Sequence, residues 1–99
     1  MTYILSIKAQ MDLQDIWLYT FENWSLDQAD NYIRSILAEI EQHAVNAEKG
    51  IERTRVRNGY RCFQVKSHVI FYRTIDHVTD IEVIRVLHKR MDIENRLLD

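Results

Sequence analysis

The sequence predicts a two-layer α+β domain, in which a helical hairpin packs on an antiparallel sheet. Three observations predict this fold class. A helix-period pattern over residues 9–24 leads into a second one that begins at Ser25. Residues 60–88 then alternate apolar and polar side chains in three short runs, which is the period of strands. An apolar run from Tyr3 to Ile7 adds a strand in front, so the predicted order is β-α-α-β-β-β.

The two predicted helices form an αα-hairpin, because only about one residue separates their patterns. The second helix opens with "SLDQ", in which Ser25 stands three residues before Gln28 and predicts a capping box. Core packing is the interpretation of Trp17 and Phe21 on the first helix, because they fall at helical spacing. That helix presents one face comprising Leu13, Ile16, Trp17, Thr20, Phe21 and Trp24. The second presents Leu26, Ala29, Ile33, Ile36, Leu37, Ile40 and Ala44.

The later strands are predicted as an antiparallel meander over residues 60–65, 68–75 and 81–88. The middle strand is apolar on both faces and is therefore expected at the centre. Each strand carries an arginine where the alternation predicts an apolar residue. By that alternation one face of each strand holds Arg61, Phe63 and Val65, then Val69, Phe71, Arg73 and Ile75, then Ile81, Val83, Arg85 and Leu87.

Length and composition predict one globular domain spanning residues 1–99. The chain is 46% hydrophobic and 28% charged, which is typical of a folded protein rather than a disordered one. It contains neither a segment resembling a signal peptide nor an apolar run of about 18 residues, so no membrane association is expected. The single cysteine, Cys62, cannot form an internal disulfide and fits a reducing compartment. The expected location is the cytoplasm.

Charge is divided unevenly along the chain. Residues 1–46 carry two cations and seven acids, whereas residues 47–99 carry eleven cations and eight acids. The strand-rich half is therefore the basic half, which favours a face for an acidic partner. A pI near 6.1 argues against a dedicated nucleic-acid binder.

The arginines of the predicted sheet have two interpretations. Arg61, Arg73 and Arg85 could reach solvent at the sheet edge or pair with acids such as Asp76 and Glu82, because unpaired arginine is seldom buried. Alternatively, Arg61 and Arg85 lie side by side as a patch for an anion or an acidic partner. Both interpretations stay open at this point.

His88 directly follows the last strand and also has two interpretations. It could be a contact residue or a general acid–base, or a strand-end histidine that bonds to backbone. No metal site is predicted, because the four histidines and Cys62 lack metal-ligand spacing. No cofactor is predicted either, since a glycine-rich phosphate loop is absent from the sequence. Cys62 is interpreted as a small core residue, and Leu18 and Tyr19 as an exposed apolar pair for a partner.

Four segments resemble the ParE branch of the RelE/ParE toxin superfamily. They are "DLQDIWLYTFENW" and "ADNYI" on the predicted helices, and "GYRCFQVKSHVIFYR" and "IEVIRVLHKRMD" on the predicted strands. The resemblance covers residues 3–92 and agrees with the predicted order of elements. It implies the toxin half of a bacterial toxin–antitoxin pair of the kind that stabilises plasmids. ParE-type toxins inhibit DNA gyrase, so that cleaved DNA accumulates, and a ParD-type antitoxin neutralises them.

The resemblance also implies that the chain acts by binding, without catalytic residues. DNA would be contacted only through the antitoxin or gyrase. We interpret a cationic strip as the target-binding surface, comprising Arg61, Arg85, His88, Lys89, Arg90 and Met91. We interpret three further residues as antitoxin-binding: Leu18, Tyr19 and Arg73.

RelE-type relatives instead cut mRNA on the ribosome, often with a tyrosine near the C-terminus. The last tyrosine here is Tyr72, within a predicted strand, which favours the gyrase branch. Arg61, Arg85 and His88 could still activate a phosphate, so an endoribonuclease remains the enzymatic alternative. A non-toxic interaction module is the third possibility. The 46–58 loop lacks the proline that relatives commonly carry, and its conformation is not predicted.

Overall fold

The computed structural model describes residues 3–45, 51–52, 59–75, 81–91 and 96. It confirms the predicted fold class, since two helices pack on one sheet in the order β-α-α followed by strands. The predicted turn at 76–80, most of the 46–58 loop and most of the terminal segment 92–98 lie outside the described residues. The elements are β1 Tyr3–Leu5, α1 Ile7–Asn23, α2 Leu26–Val45, β2 Ile51–Glu52, β3 Arg61–Val65, β4 His68–Thr74 and β5 Ile81–His88.

The sheet has the strand order β1-β5-β4-β3-β2, with β4 at its centre as predicted. The predicted meander is confirmed, because β3, β4 and β5 pair antiparallel in sequence. The sheet as a whole is mixed rather than antiparallel, because β1 pairs parallel to β5. The helical hairpin carries the chain from β1 at one edge of the sheet to β2 at the other edge.

A β-bulge on β5 changes the faces predicted for that strand. Phe71 pairs with Arg85, but Tyr72 pairs with Val83, so Ile84 has no partner in the ladder. The extra residue shifts the alternation, as bulges do. Leu87 therefore lies on the face opposite the helices, and the prediction that it shares a face with Ile81 and Val83 is wrong.

Both faces of the sheet are packed. The face toward the helices forms the main core with buried residues of α1 and α2, including Ile36 and Ile40. The opposite face carries a second buried cluster of Tyr60, Cys62, Val69, Phe71 and Leu87. The predicted core role of Cys62 is thus confirmed, since its side chain is buried within this cluster.

Serine side chains fix the starts of both helices. Ser6 caps α1 by accepting a hydrogen bond from the Ala9 N–H (3.0 Å), so the helix begins two residues before the predicted position. The Ser6 hydroxyl also donates to the carbonyl of the bulge residue Ile84 (2.7 Å). Ser25 accepts from the Gln28 N–H (3.1 Å), which confirms the serine half of the predicted capping box.

The tip of the hairpin exposes aromatic and apolar side chains that the helical period assigned to the core. Phe21 is 44% exposed, Trp24 is 62% exposed and Leu26 is 51% exposed. The core interpretation is therefore wrong for Phe21, which instead stacks on Trp17 with ring centroids 5.3 Å apart. Nothing in the described part of the chain covers this tip, although the helical period itself was predicted correctly.

Candidate functional site

An open groove of about 1060 Å³ runs beside the hairpin and along the ends of β4 and β5. Its apolar walls include Met11, Ile16, Tyr19, Trp24 and Met91. Three of these, Met11, Tyr19 and Trp24, are more than half exposed. Lysines 8 and 66 and the acids Asp12 and Asp15 also line it. An exposed apolar surface with a polar border is typical of a protein-binding site.

Tyr32, His68 and His88 form a cluster in this groove. The Tyr32 hydroxyl contacts His68 Nδ1, and the His68 and His88 rings meet edge to face with centroids 5.2 Å apart. Burial, helped by the neighbouring His88 and opposed by Asp12, lowers the pKa of His68 to about 4. His68 is therefore neutral at pH 7. In the tautomer that carries its proton on Nε2, its Nδ1 accepts a hydrogen bond from the Tyr32 hydroxyl. The Lys66 ammonium lies 5.3 Å from the centre of the Tyr32 ring.

Asp12 of α1 clamps the helix to β5. Its carboxylate accepts from Arg85 Nε (2.8 Å), from Arg85 Nη2 (2.9 Å) and from the Val86 N–H (2.9 Å). Both charged side chains are only 13% exposed, so water screens this pair weakly. Arg85 Nη1 also donates to the carbonyl of Arg96 (3.0 Å). The Arg85 guanidinium thus donates to acceptors within the protein itself, on Asp12 and Arg96.

Comparison with known proteins identifies the family. The family model for the "ParE toxin of type II toxin-antitoxin system, parDE" matches residues 3–93. The chain belongs to the ParE toxin family. It is 41% identical to Toxin ParE1 of Mycobacterium tuberculosis, with 96% of each chain covered. It is 40% identical to Toxin ParE1 of Caulobacter vibrioides over the same shares, and 28% identical to Toxin ParE of Escherichia coli.

A solved structure shares the fold. It comes from the "Chromosomal ParDE TA system from P. aeruginosa" and superposes with a TM-score of 0.75. The match covers 89% of this chain and 95% of that chain at 18% sequence identity. The ParE interpretation made from the sequence is confirmed by the family model and the curated relatives. Among the described residues of this ParE-family chain, no helix is long and apolar enough to cross a bilayer.

The structure does not assemble the cationic strip as expected. Arg61 lies on β3 and Arg85 on β5, with β4 between them, so their backbones are about 10 Å apart. Arg61 and Arg85 are therefore not side by side, and the Arg85 guanidinium is paired with the Asp12 carboxylate. The pairing interpretation is therefore confirmed for Arg85, with Asp12 as the acid. Arg61 is likewise two strands away from Arg85 and His88, the other members of the phosphate-activating trio. The endoribonuclease alternative stays a prediction.

The end of β5 keeps the rest of the predicted target surface together. His88 and Met91 line the groove, while Lys89 and Arg90 are exposed in the turn between them. The Arg90 N–H donates to His88 Nδ1 (3.1 Å), and the Met91 N–H donates to the His88 carbonyl (2.9 Å). His88 thus bonds to backbone, as expected of a strand-end histidine. It also lines the groove, as expected of a contact residue.

The predicted antitoxin residues lie on three different surfaces. Tyr19 lines the groove. Leu18 is exposed but is not part of the groove wall. Arg73 lies opposite Glu82 on the strand register and pairs with it (2.7 Å), which confirms the pairing interpretation for this arginine. Whether any of the three contacts an antitoxin stays a prediction.

Sequence reasoning missed Asp12, Tyr32 and His68 as members of the site. They come from α1, α2 and β4, and only the packed fold brings them together. The sequence contains one indication of the role of Asp12. This acid directly precedes Leu13, the first residue of the apolar face of α1. The His68–His88 contact depends on the register between β4 and β5, which the alternation alone does not specify.

Proposed function

We propose that this ParE-family chain is a toxin that inhibits DNA gyrase by binding and is neutralised by a ParD-type antitoxin. Membership of the family over residues 3–93 supports the toxin assignment. The observation that carries the binding mechanism is the open apolar groove beside the hairpin. The groove offers exposed aromatic anchors of the kind that dominate protein interfaces.

The antitoxin segment is proposed to occupy the groove. Met11, Tyr19 and Trp24 present apolar surface that a partner helix or extended segment would bury. Lys8 and Lys66 at the groove favour acidic residues on that partner. Asp12 is already engaged by Arg85, so it does not oppose an acidic partner as a free charge would.

The turn after β5 is proposed to contact the gyrase complex. Lys89 and Arg90 are exposed there, and His88 and Met91 connect the turn to the groove wall. An antitoxin seated in the groove would lie against this turn. Neutralisation would then follow from direct competition between antitoxin and gyrase for adjoining surfaces.

Tyr19 and Leu18 provide a matched test of the antitoxin site. They are neighbours on α1, 61% and 49% exposed, but only Tyr19 lines the groove. We expect Tyr19→Glu to weaken antitoxin binding at least tenfold, because it places a charge in an apolar contact, as for a hot-spot residue. Leu18→Glu should change the dissociation constant less than about threefold, since it lies outside the wall.

Calorimetric titration of both variants with the cognate antitoxin measures this difference. Circular dichroism would confirm that each variant is folded. Equal losses for the two variants, or a larger loss for Leu18→Glu, would place the antitoxin elsewhere on the hairpin. The gyrase part of the proposal is tested separately by supercoiling of plasmid DNA.

A further inference from the structure

His68 and His88 face each other directly across two neighbouring strands. Their Cα atoms are partners in the β4–β5 register. The adjacent pair is hydrogen-bonded, since the Lys89 N–H donates to the Ser67 carbonyl (2.9 Å). Hydrogen-bonded and non-hydrogen-bonded pairs alternate along antiparallel strands, so His68 and His88 form a non-hydrogen-bonded pair. Such pairs hold their side chains closest together.

The separation of the two rings matches that of two imidazoles on one tetrahedral ion. A zinc–nitrogen bond of about 2.05 Å places the metal about 3.2 Å from each ring centre, and a tetrahedral angle then separates the ring centres by about 5.2 Å. The observed separation is 5.2 Å, with the rings 85° apart. The ring centres therefore already have the separation that a shared ion requires. Sharing the ion further requires both Nε2 atoms to point at it, which rotation about the side-chain bonds of the two histidines would supply.

The contacts around the rings leave Nε2 as the ligating atom on each. Tyr32 occupies His68 Nδ1, and the Arg90 N–H occupies His88 Nδ1. When a metal takes Nε2 of His68, the ring proton moves to Nδ1 and donates to the Tyr32 oxygen, which is the usual outer partner of a metal-bound histidine. When it takes Nε2 of His88, the proton moves to Nδ1 and the bond from Arg90 is lost.

We propose that His68 and His88 form a site for a borderline divalent transition metal, with Zn²⁺ as the reference ion. Within the residues that the structure describes, no third histidine, cysteine or carboxylate completes a ligand set, so water fills the remaining positions. Binding is accordingly modest and reversible. It also rearranges the 88–91 turn, because the bond between Arg90 and His88 must break. If that turn contacts gyrase as proposed above, metal occupancy alters the toxin's target surface.

The test is calorimetric titration of the tag-free, full-length chain with ZnCl₂. We expect one site in the wild type and at least tenfold weaker binding in both His68→Ala and His88→Ala. Tyr32→Phe removes the outer partner of His68 and should weaken binding about 10–100-fold. Lys89→Ala is the matched control beside His88 and should bind normally. His43 and His77 remain in every variant, so any general affinity of histidine for zinc is preserved.

A second measurement on the wild type guards against variants that fail to fold. Zinc should shift the ring resonances of His68 and His88 and the backbone amide of Arg90, and leave those of buried His43 unchanged. Three outcomes would overturn the proposal: no binding at millimolar zinc, undiminished binding in the folded alanine variants, or resonance shifts confined to other histidines. Neither measurement involves gyrase or antitoxin, so a failure here leaves the proposed toxin activity to be judged by its own assay.

Discussion

Replacing Asp12 by alanine removes the carboxylate that joins α1 to β5. Three hydrogen bonds are lost, and the Arg85 guanidinium, whose side chain is 13% exposed, keeps its charge without that partner. Breaking a largely buried ion pair by deleting one member costs about 3–5 kcal/mol. We take the lower end, about 3 kcal/mol, because some solvent reaches the pair. In a domain of this size that loss lowers Tm by roughly 12–24 °C.

Thermal and urea unfolding followed by circular dichroism measure the effect. Glu82→Ala is the control, because it breaks the Arg73–Glu82 pair, whose side chains are 49% and 21% exposed. Exposed pairs contribute about 0–1 kcal/mol, so this variant should stay near the wild type. Adding Arg85→Met to Asp12→Ala should recover part of the loss, since it removes the largely buried charge that Asp12 no longer balances. If Asp12→Ala costs no more than Glu82→Ala, the clamp does not stabilise the fold as argued.

Three further outcomes follow from the structure. Ile36→Ala should cost about 2–5 kcal/mol in urea unfolding, because Ile36 is fully buried between α2 and the sheet, and a cost below 1 kcal/mol would contradict that packing. Ser25→Ala should cost about 1 kcal/mol by the same assay, because Ser25 caps α2, and an unchanged midpoint would show that the cap contributes nothing. Arg90→Glu should relieve growth arrest in cells without lowering Tm, because Arg90 is exposed in the turn after β5. The equal charge change Arg34→Glu on α2 should leave growth arrest intact, and equal relief by both would remove the turn from the target surface.

Local periodicity was sufficient to predict most of the fold. The strand His68–Thr74 and the strand Ile81–His88 agree with the predicted segments to within one residue, because alternating side chains are a local property of the chain. The hairpin of helices followed from the short interval before Ser25. Among the residues assigned to the apolar faces of the helices, Phe21, Trp24 and Leu26 are exposed, because nothing in the described part of the chain covers the tip of the hairpin. Periodicity describes a face of a helix and does not indicate whether anything covers it.

The candidate site was harder to predict because it depends on register and on contacts distant in sequence. The bulge at Ile84 places Leu87 and Val83 on opposite faces of the sheet, and no local sequence pattern predicts this bulge. Asp12 and Arg85 are 73 residues apart, so their pairing is invisible to spacing arguments. When the acid that pairs with it is not known, an arginine at an apolar position can be interpreted equally well as a binding residue or as half of an ion pair. The structure gives Arg85 the second role, and it exposes Lys89 and Arg90 in the turn after β5.

The central claim is that this ParE-family chain inhibits DNA gyrase by binding. The most direct measurement is a gel assay of the purified chain with gyrase, ATP and relaxed plasmid, scored for supercoiled and linear DNA. The proposal predicts lost supercoiling with accumulation of linear DNA, and recovery when the ParD-type antitoxin is added. Unaffected gyrase, together with cleavage of mRNA on translating ribosomes, would contradict the claim and establish the endoribonuclease alternative.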